Sequence, residues 1–237
     1  MRKLLVFALS LLLAGCVATT PSLPSDNRIS PSFRQPPAGS LIVLLPAEVE
    51  AAELESGIAI LMNALHQRLL ASGYKVVKLD QDSHDAIWSQ EVKDVGGIYD
   101  PNTGALRRHE LMLVLGHLVQ RVSAETSAAM VIRPRLVLRS ADISGASAAW
   151  DGQQRRVPVY GAGGDTVRGN GSTLGLSVGL DIFASSGEMV MRTHGGALLP
   201  YRANVKSGKN EVRSDLFENE SEVADGVAIA LAPLLKL

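Results

Sequence analysis

The chain has 237 residues, 46% hydrophobic, 20% charged and 4% aromatic, with a formal net charge of −1. This is the composition of a globular protein, which excludes wholesale disorder and collagen-like order, and the length suits one good core better than two. A near-zero charge argues against an electrostatic nucleic-acid binder, and a single cysteine excludes an intramolecular disulfide or a cysteine-based zinc site.

The chain begins Met1-Arg2-Lys3, followed by an almost wholly apolar run from Leu4 to Leu13 and then Ala14-Gly15. A basic start, a short apolar run and small residues at its end form a secretory signal peptide over 1–15. The run is shorter than the roughly 20 residues a permanent transmembrane helix needs. Leu13-Ala14-Gly15-Cys16 resembles the lipobox of bacterial lipoproteins. That resemblance implies cleavage between Gly15 and Cys16, a diacylglyceryl group on the Cys16 thiol and an N-acyl chain on the new N-terminus. Within that class an Asp after the Cys signals inner-membrane retention; Val17 stands here, which implies the outer membrane. Cleavage removes Arg2 and Lys3 and no acid, so the mature charge becomes −3.

Residues 17–39 hold Pro21, Pro24, Pro31, Pro36 and Pro37, five of the eleven prolines. Proline fixes φ and biases its predecessor toward extended backbone, so 16–39 reads as a lipidated cysteine and a semi-rigid tether. Fully extended it reaches ~70 Å.

Ser40–Pro46 is an apolar run that suits a strand buried on both faces. Leu54, Ile58, Leu61, Met62, Leu65 and Leu69 recur at helical spacing, and Gly73 closes that helix. Tyr74–Leu79 alternates as a second strand. Ser83 is the expected cap of a short helix over 84–95 that Gly96-Gly97 stops. Residues 99–104 form a turn by composition. A longer helix over 105–125 carries Leu111, Leu115, Leu118 and Val122. Met130–Leu138 reads as a strand whose Pro134 implies an edge position or a bulge. Residues 144–172 read as a glycine-rich loop. Thr173–Phe183 alternates, with Leu174, Leu176, Val178, Leu180 and Ile182 on one face, and turns through Ser185-Ser186-Gly187 into Glu188–Thr193 as a hairpin. A last helix spans about 214–235. No repeat or second linker interrupts this, so a single α/β domain over 40–237 is expected. Its order is β-α-β-α-α-β-β-β-α, a mixed sheet ending in an antiparallel meander and packed with helices.

Several groupings bear on chemistry. Gly175-Leu-Ser177-Val-Gly179 matches G-x-S-x-G, and His194-Gly195-Gly196 looks like an oxyanion loop, which together suggest a serine hydrolase on Ser177. The context opposes it. A nucleophile elbow needs a strand, a sharp turn and a helix, whereas Ser177 lies inside a period-2 pattern, and His194 is the only histidine downstream. His109-Glu110 opens like a zinc H-E-x-x-H, but position 113 is Leu. His109 and His117 are about 80° apart around a helix, and His66 and His84 have no paired ligand motif, so no metal site is expected. Asp80, Asp82 and Asp85 lack the glycine and distal glutamate of a calcium loop and suit a helix N-terminus instead. Gly161–Gly164 lacks the Lys-Ser/Thr of a P-loop. The loop residues Trp150, Tyr160, Gly163 and Gly164, with the Pro134 region, are the candidate contact surface.

Taken together, the apolar strand and long helix, Gly73-Tyr-Lys-Val-Val-Lys-Leu-Asp80, Ile87-Trp-Ser-Gln-Glu91, Leu115-Gly-His-Leu with Ala128-Ala-Met-Val-Ile, and Gly179-Leu-Asp-Ile-Phe-Ala-Ser-Ser-Gly187-Glu-Met-Val resemble the periplasmic domain of the curli-secretion lipoprotein family. The penicillin-binding-protein activator lipoproteins and the N-terminal domain of the Tol-system β-propeller protein share that architecture. The resemblance covers most of 40–237 and implies a non-catalytic, outer-membrane, periplasm-facing module in an envelope or secretion complex. It implies a homo-oligomer or an envelope protein partner, and no cofactor beyond the acyl groups on Cys16. The curli-type pore carries membrane-spanning hairpins. Here 144–172 contains Asp151, Arg155, Arg156, Asp165 and Arg168, and 193–213 is too polar, so an oligomeric secretion pore is the alternative reading and a hydrolase the second.

Overall fold

The structure, a computed structural model, describes residues 26–157, 159–160, 169–204 and 209–235. In chain order the elements are β1 (Arg28–Ile29), β2 (Leu41–Leu44), β3 (Glu48–Val49), a 3-10 turn (Ala52–Gly57), α1 (Ile58–Ala71), β4 (Lys75–Lys78), α2 (Gln81–Asp94), α3 (Arg108–Thr126), β5 (Met130–Gly145), β6 (Ser147–Trp150), β7 (Gln153–Arg156), β8 (Val159–Tyr160), β9 (Gly169–Ala184), β10 (Met189–Leu198), β11 (Tyr201–Asn204), β12 (Lys209–Val212) and α4 (Glu220–Leu235). The main sheet runs β1-β10-β9-β5-β2-β4, with β3 and the β6–β7 hairpin attached to β5. β2 is parallel to β4 and β5; β5, β9, β10 and β1 are successively antiparallel. A mixed α/β sheet packed with helices is therefore the architecture. A small sheet, β12-β11-β8, stands apart from it.

β2 is apolar throughout because helices cover both of its faces. Ile42 and Leu44 enter one core with α1 and α4; Val43 and Leu45 enter a second with α3. Each fully buried side chain of this kind contributes about 1.5–3 kcal/mol. α1 buries Leu61, Met62, Leu65 and Leu69, and Gly73 ends it at φ +84°, a conformation glycine adopts without strain. α2 begins earlier than expected. Its cap is Asp80, whose carboxylate accepts the Ser83 amide at 2.8 Å, so Ser83 is the capped residue rather than the cap.

Three expectations need correction. The strand from Met130 runs to Gly145 and is interior, pairing with β9 along its whole length without a bulge. Pro134 is tolerated for a different reason. Ile132 and Leu136 give their carbonyls to the amides of Leu45 and Glu50, so Pro134, between them on the same side, faces the break where the neighbour changes from β2 to β3. Residues 144–157 are no loop: they form β6 and β7 around Asp151-Gly152, both at positive φ, the conformation a tight hairpin turn demands. The alternating strand likewise starts at Gly169, and its outer part leaves the core, so Leu174 is exposed. Ser140, Asp142, Ser144, Asn170 and Ser172 on this projecting stretch are also exposed and polar.

The third correction is the tether. Residues 26–39 belong to the folded domain. β1 pairs with β10, Ser32 Oγ donates to Glu188 at 2.6 Å, and the Tyr74 hydroxyl donates to the Pro36 carbonyl at 3.3 Å.

Candidate functional site

Strand alternation builds one polar face. The α1/α4 core takes Leu136, Leu176, Val178, Leu180 and Ile182. Their neighbours point the other way: Arg133, Arg135 and Arg139 on β5, Ser177 and Asp181 on β9, Arg192 and His194 on β10. Register then sets the pairs. Asp181 is opposite both Arg133 and Arg192; Gly179 is opposite Arg135 and His194; Ser177 is opposite Gly196. On this side α3 packs against Val131 and Phe183, at one end.

Asp181 is the centre of the face, its side chain only 1% exposed. Its Oδ1 lies 2.5 Å from Arg192 Nε and 3.5 Å from Arg135 Nη2, and its Oδ2 lies 3.3 Å from Arg133 Nη1. Arg133 also grips Glu48 with two nitrogens. A carboxylate this deep is stable only when several charge-assisted bonds replace its water. Arg135 bears the cost: burial, then the charges of Arg133 and Arg192, hold its pKa below the usual guanidinium value, against the pull of Asp181.

A second node adjoins it. The β6–β7 turn delivers Asp151 onto the face, where its Oδ2 accepts the Ser177 hydroxyl at 2.6 Å and pairs with Arg139 Nε at 2.5 Å. Arg139 reaches on to Asp26 at 2.9 Å. Burial opposes charge on Arg139, but the hydrogen bonds and charges of Asp151 and Asp26 prevail and raise its pKa. The His194 amide donates to Asn27 Oδ1 at 2.9 Å, and its Nδ1 lies 3.7 Å from Asp26. The node clasps the entering chain, residues 26 and 27, onto the sheet.

His194 has its pKa lowered from the ordinary 6.5, first by burial and then by Arg139. The unfolded chain therefore takes up this proton before the folded one as pH falls. The stability His194 contributes is complete above its unfolded pKa and is lost on acidification through and below it. Resistance of wild type to urea is expected to fall between about pH 7 and pH 5, and His194→Gln to flatten that slope.

The residues singled out from sequence fall as follows. Ser177 is mid-strand and fully buried, and its hydroxyl donates to a carboxylate already paired with Arg139. His194 sits two positions along β10 from the residue facing Ser177. Trp150 is 6% exposed; its indole N–H donates to the Leu176 carbonyl at 3.2 Å. The ring lies over Gly175, where an added Cβ would come within 2.5 Å of it, so Gly175 does mark a close approach; Gly179 meets only ordinary contacts, the nearest at 3.5 Å. Tyr160 belongs to β8, whose backbone pairs with Asn204. Gly15, Cys16, Gly163 and Gly164 lie outside the described residues. His117 pairs with Glu91 at 3.3 Å. Among the described residues no group of three His, Cys, Asp or Glu side chains could hold a metal ion.

The arginine–aspartate face is the feature the sequence reading missed. Its signal was present: Arg133, Arg135 and Arg139 share one parity in a strand, and Asp181 interrupts an apolar run.

No protein-family model matches the chain, and no curated protein matches it by sequence. Solved structures do align with it. They include the PelC dodecamer from Paraburkholderia phytofirmans (12% identity, 88% of this chain and 94% of that chain, TM-score 0.41). Lipoprotein GNA1162 from Neisseria meningitidis aligns at 12% identity over 83% of this chain and 99% of that one, with a TM-score of 0.35. The hypothetical protein CT253 from Chlamydia trachomatis aligns at 10% identity over 83% and 91%, with a TM-score of 0.36. Similarity at this level assigns neither a site nor an activity.

Proposed function

We propose that this protein is a lipoprotein of the bacterial outer membrane, anchored through acylated Cys16, whose periplasm-facing domain is a non-catalytic binding or assembly module in an envelope or secretion complex. The observation that carries the anchor is the register of Arg2-Lys3, the apolar run and Leu13-Ala14-Gly15-Cys16. Two or more acyl chains anchor a protein stably on a membrane, at about 0.8 kcal/mol per buried CH₂. No helix among the described residues is long and apolar enough to cross a membrane, which is compatible with anchoring by lipid.

The non-catalytic reading is supported by the Ser177 environment. A nucleophile needs a base free to take its proton, and Asp151 is instead tied to Arg139. Partners are an envelope protein or further copies of the chain, and the only prosthetic groups are the acyl chains.

Radiolabelled palmitate supplied to expressing cells tests the anchor. Wild type is expected to incorporate label and fractionate with the outer membrane; Cys16→Ala is expected to lose the label completely. Label retained by Cys16→Ala would sink this reading. Crosslinking in intact cells followed by mass spectrometry tests the assembly role, and a domain that crosslinks to no envelope protein and to no second copy would count against it.

A further inference from the structure

The β1–β10 edge of the sheet carries one charge that the network above does not use, Arg28. Arg28 and Arg192 lie directly opposite each other in the β1–β10 register. Like charges in that position destabilise a strand pair unless an anion accompanies them. Arg192 is held by Asp181. Arg28 is exposed and makes no ion pair among the described residues. Beside them is a cavity of about 290 Å³ lined by Arg28, Ile29, Ser30, Arg192 and the Met189–Met191 stretch of β10. It offers guanidinium donors next to an apolar wall, and Ile29 is 47% exposed there.

The same sheet face carries Arg133, Arg135 and Arg139. Its acids Asp181 and Asp151 lie beneath, 1% and 6% exposed, so guanidinium groups form the outer layer. Of the exposed acids nearby, Asp26 and Glu48 are paired with Arg139 and Arg133, and Glu188 accepts the Ser32 hydroxyl.

The described residues begin at this edge, with Asp26 two positions before β1. Residues 17–25, nine in number, separate Asp26 from Cys16. Extended, they span at most about 30 Å. The opposite edge, β4, lies five strand spacings further away, about 24 Å. An acylated Cys16 thus keeps Asp26, beside β1, within about 30 Å of the lipid.

We propose that this edge binds the phosphate of anionic lipid headgroups, with Arg28 and Arg192, side by side on one face of the β1–β10 pair, as the paired donors. The orientation rests on the Cys16 anchor proposed above. Bidentate guanidinium–phosphate pairing gives the site its chemistry.

The test is flotation of residues 26–237, which contain every contact described here, with vesicles of phosphatidylglycerol and phosphatidylethanolamine or of phosphatidylcholine alone. Binding is expected to the anionic vesicles only and to weaken with salt. Arg28→Gln is expected to reduce partitioning about fivefold, the equivalent of about 1 kcal/mol for one basic residue, with its unfolding midpoint not lowered. Binding that ignores headgroup charge, an unchanged Arg28→Gln, or no binding overturns the proposal. So does stabilisation by inorganic phosphate without vesicle binding, which would make this a free-phosphate site. A change in sedimentation of Arg28→Glu without vesicles would make it a contact between copies and equally overturn it. Palmitate labelling is read separately. Labelled Cys16 with no vesicle binding removes the headgroup site and leaves the anchor standing; vesicle binding without label does the reverse.

Discussion

Asp181→Ala is expected to destabilise the domain by about 3–5 kcal/mol, because removing one partner of a buried ion cluster leaves the others desolvated and unopposed. Three guanidiniums converge on this carboxylate, within 2.5 to 3.5 Å. They are themselves 16% to 37% exposed, so water relieves part of the loss and the lower end of that range is the better figure. Asp181→Asn keeps the shape and removes the charge, and is expected to cost less. Urea unfolding at neutral pH checks both. An Asp181→Ala midpoint equal to wild type would mean that the cluster contributes no net stability. The result also bears on the lipid-facing edge, since Arg192 is positioned by this carboxylate.

Gly195→Val is expected to prevent normal folding, or to cost more than about 3 kcal/mol if the protein is recovered. A Cβ at this position would fall on the Gly226 carbonyl oxygen and within 2.7 Å of the Ala230 amide nitrogen. Both are backbone atoms of α4, so no side-chain rotation can relieve the clash. α4 would have to lift from β10, exposing Val223, Val227, Ala230 and Leu231, all buried in the native core. Soluble yield and the thermal midpoint report the outcome. Gly39→Ala is a useful contrast: nothing lies within 4 Å of its added Cβ, and its φ of +82° leaves only backbone strain. The two glycines look equivalent in sequence and differ in cost because one meets a helix backbone and the other meets space.

That contrast indicates what could be read without a structure. The apolar run of β2, the helical spacing of α1 and its stop at Gly73, the Gly96-Gly97 break and the hairpin at Ser185–Gly187 are local patterns, and local patterns are legible. The extent of β5 and β9 was not. Arg139–Gly145 and Gly169–Ser172 are strand because they pair across the intervening residues 146–168, and because β6 pairs with Asp142–Ser144. No propensity announces such a pairing. The docked segment 26–39 was equally hidden. Its prolines speak for extended backbone, and extended backbone serves a tether or an edge strand alike.

By itself the sequence determined the α/β class and the order of the principal elements, since each depends on neighbours a few residues apart, and it supplied the Arg2-to-Cys16 pattern on which the proposed anchor rests. The single cysteine, which opened as a statement about missing disulfides, became the proposed point of attachment. Only the tertiary structure decided that Arg133, Arg135 and Arg192 meet on one buried carboxylate. It also decided that the Ser177 hydroxyl donates its hydrogen bond to Asp151 rather than to a histidine. These groups lie on three strands and a hairpin turn, far apart in the chain, and the register that aligns them is set by burial of the opposite face of the sheet.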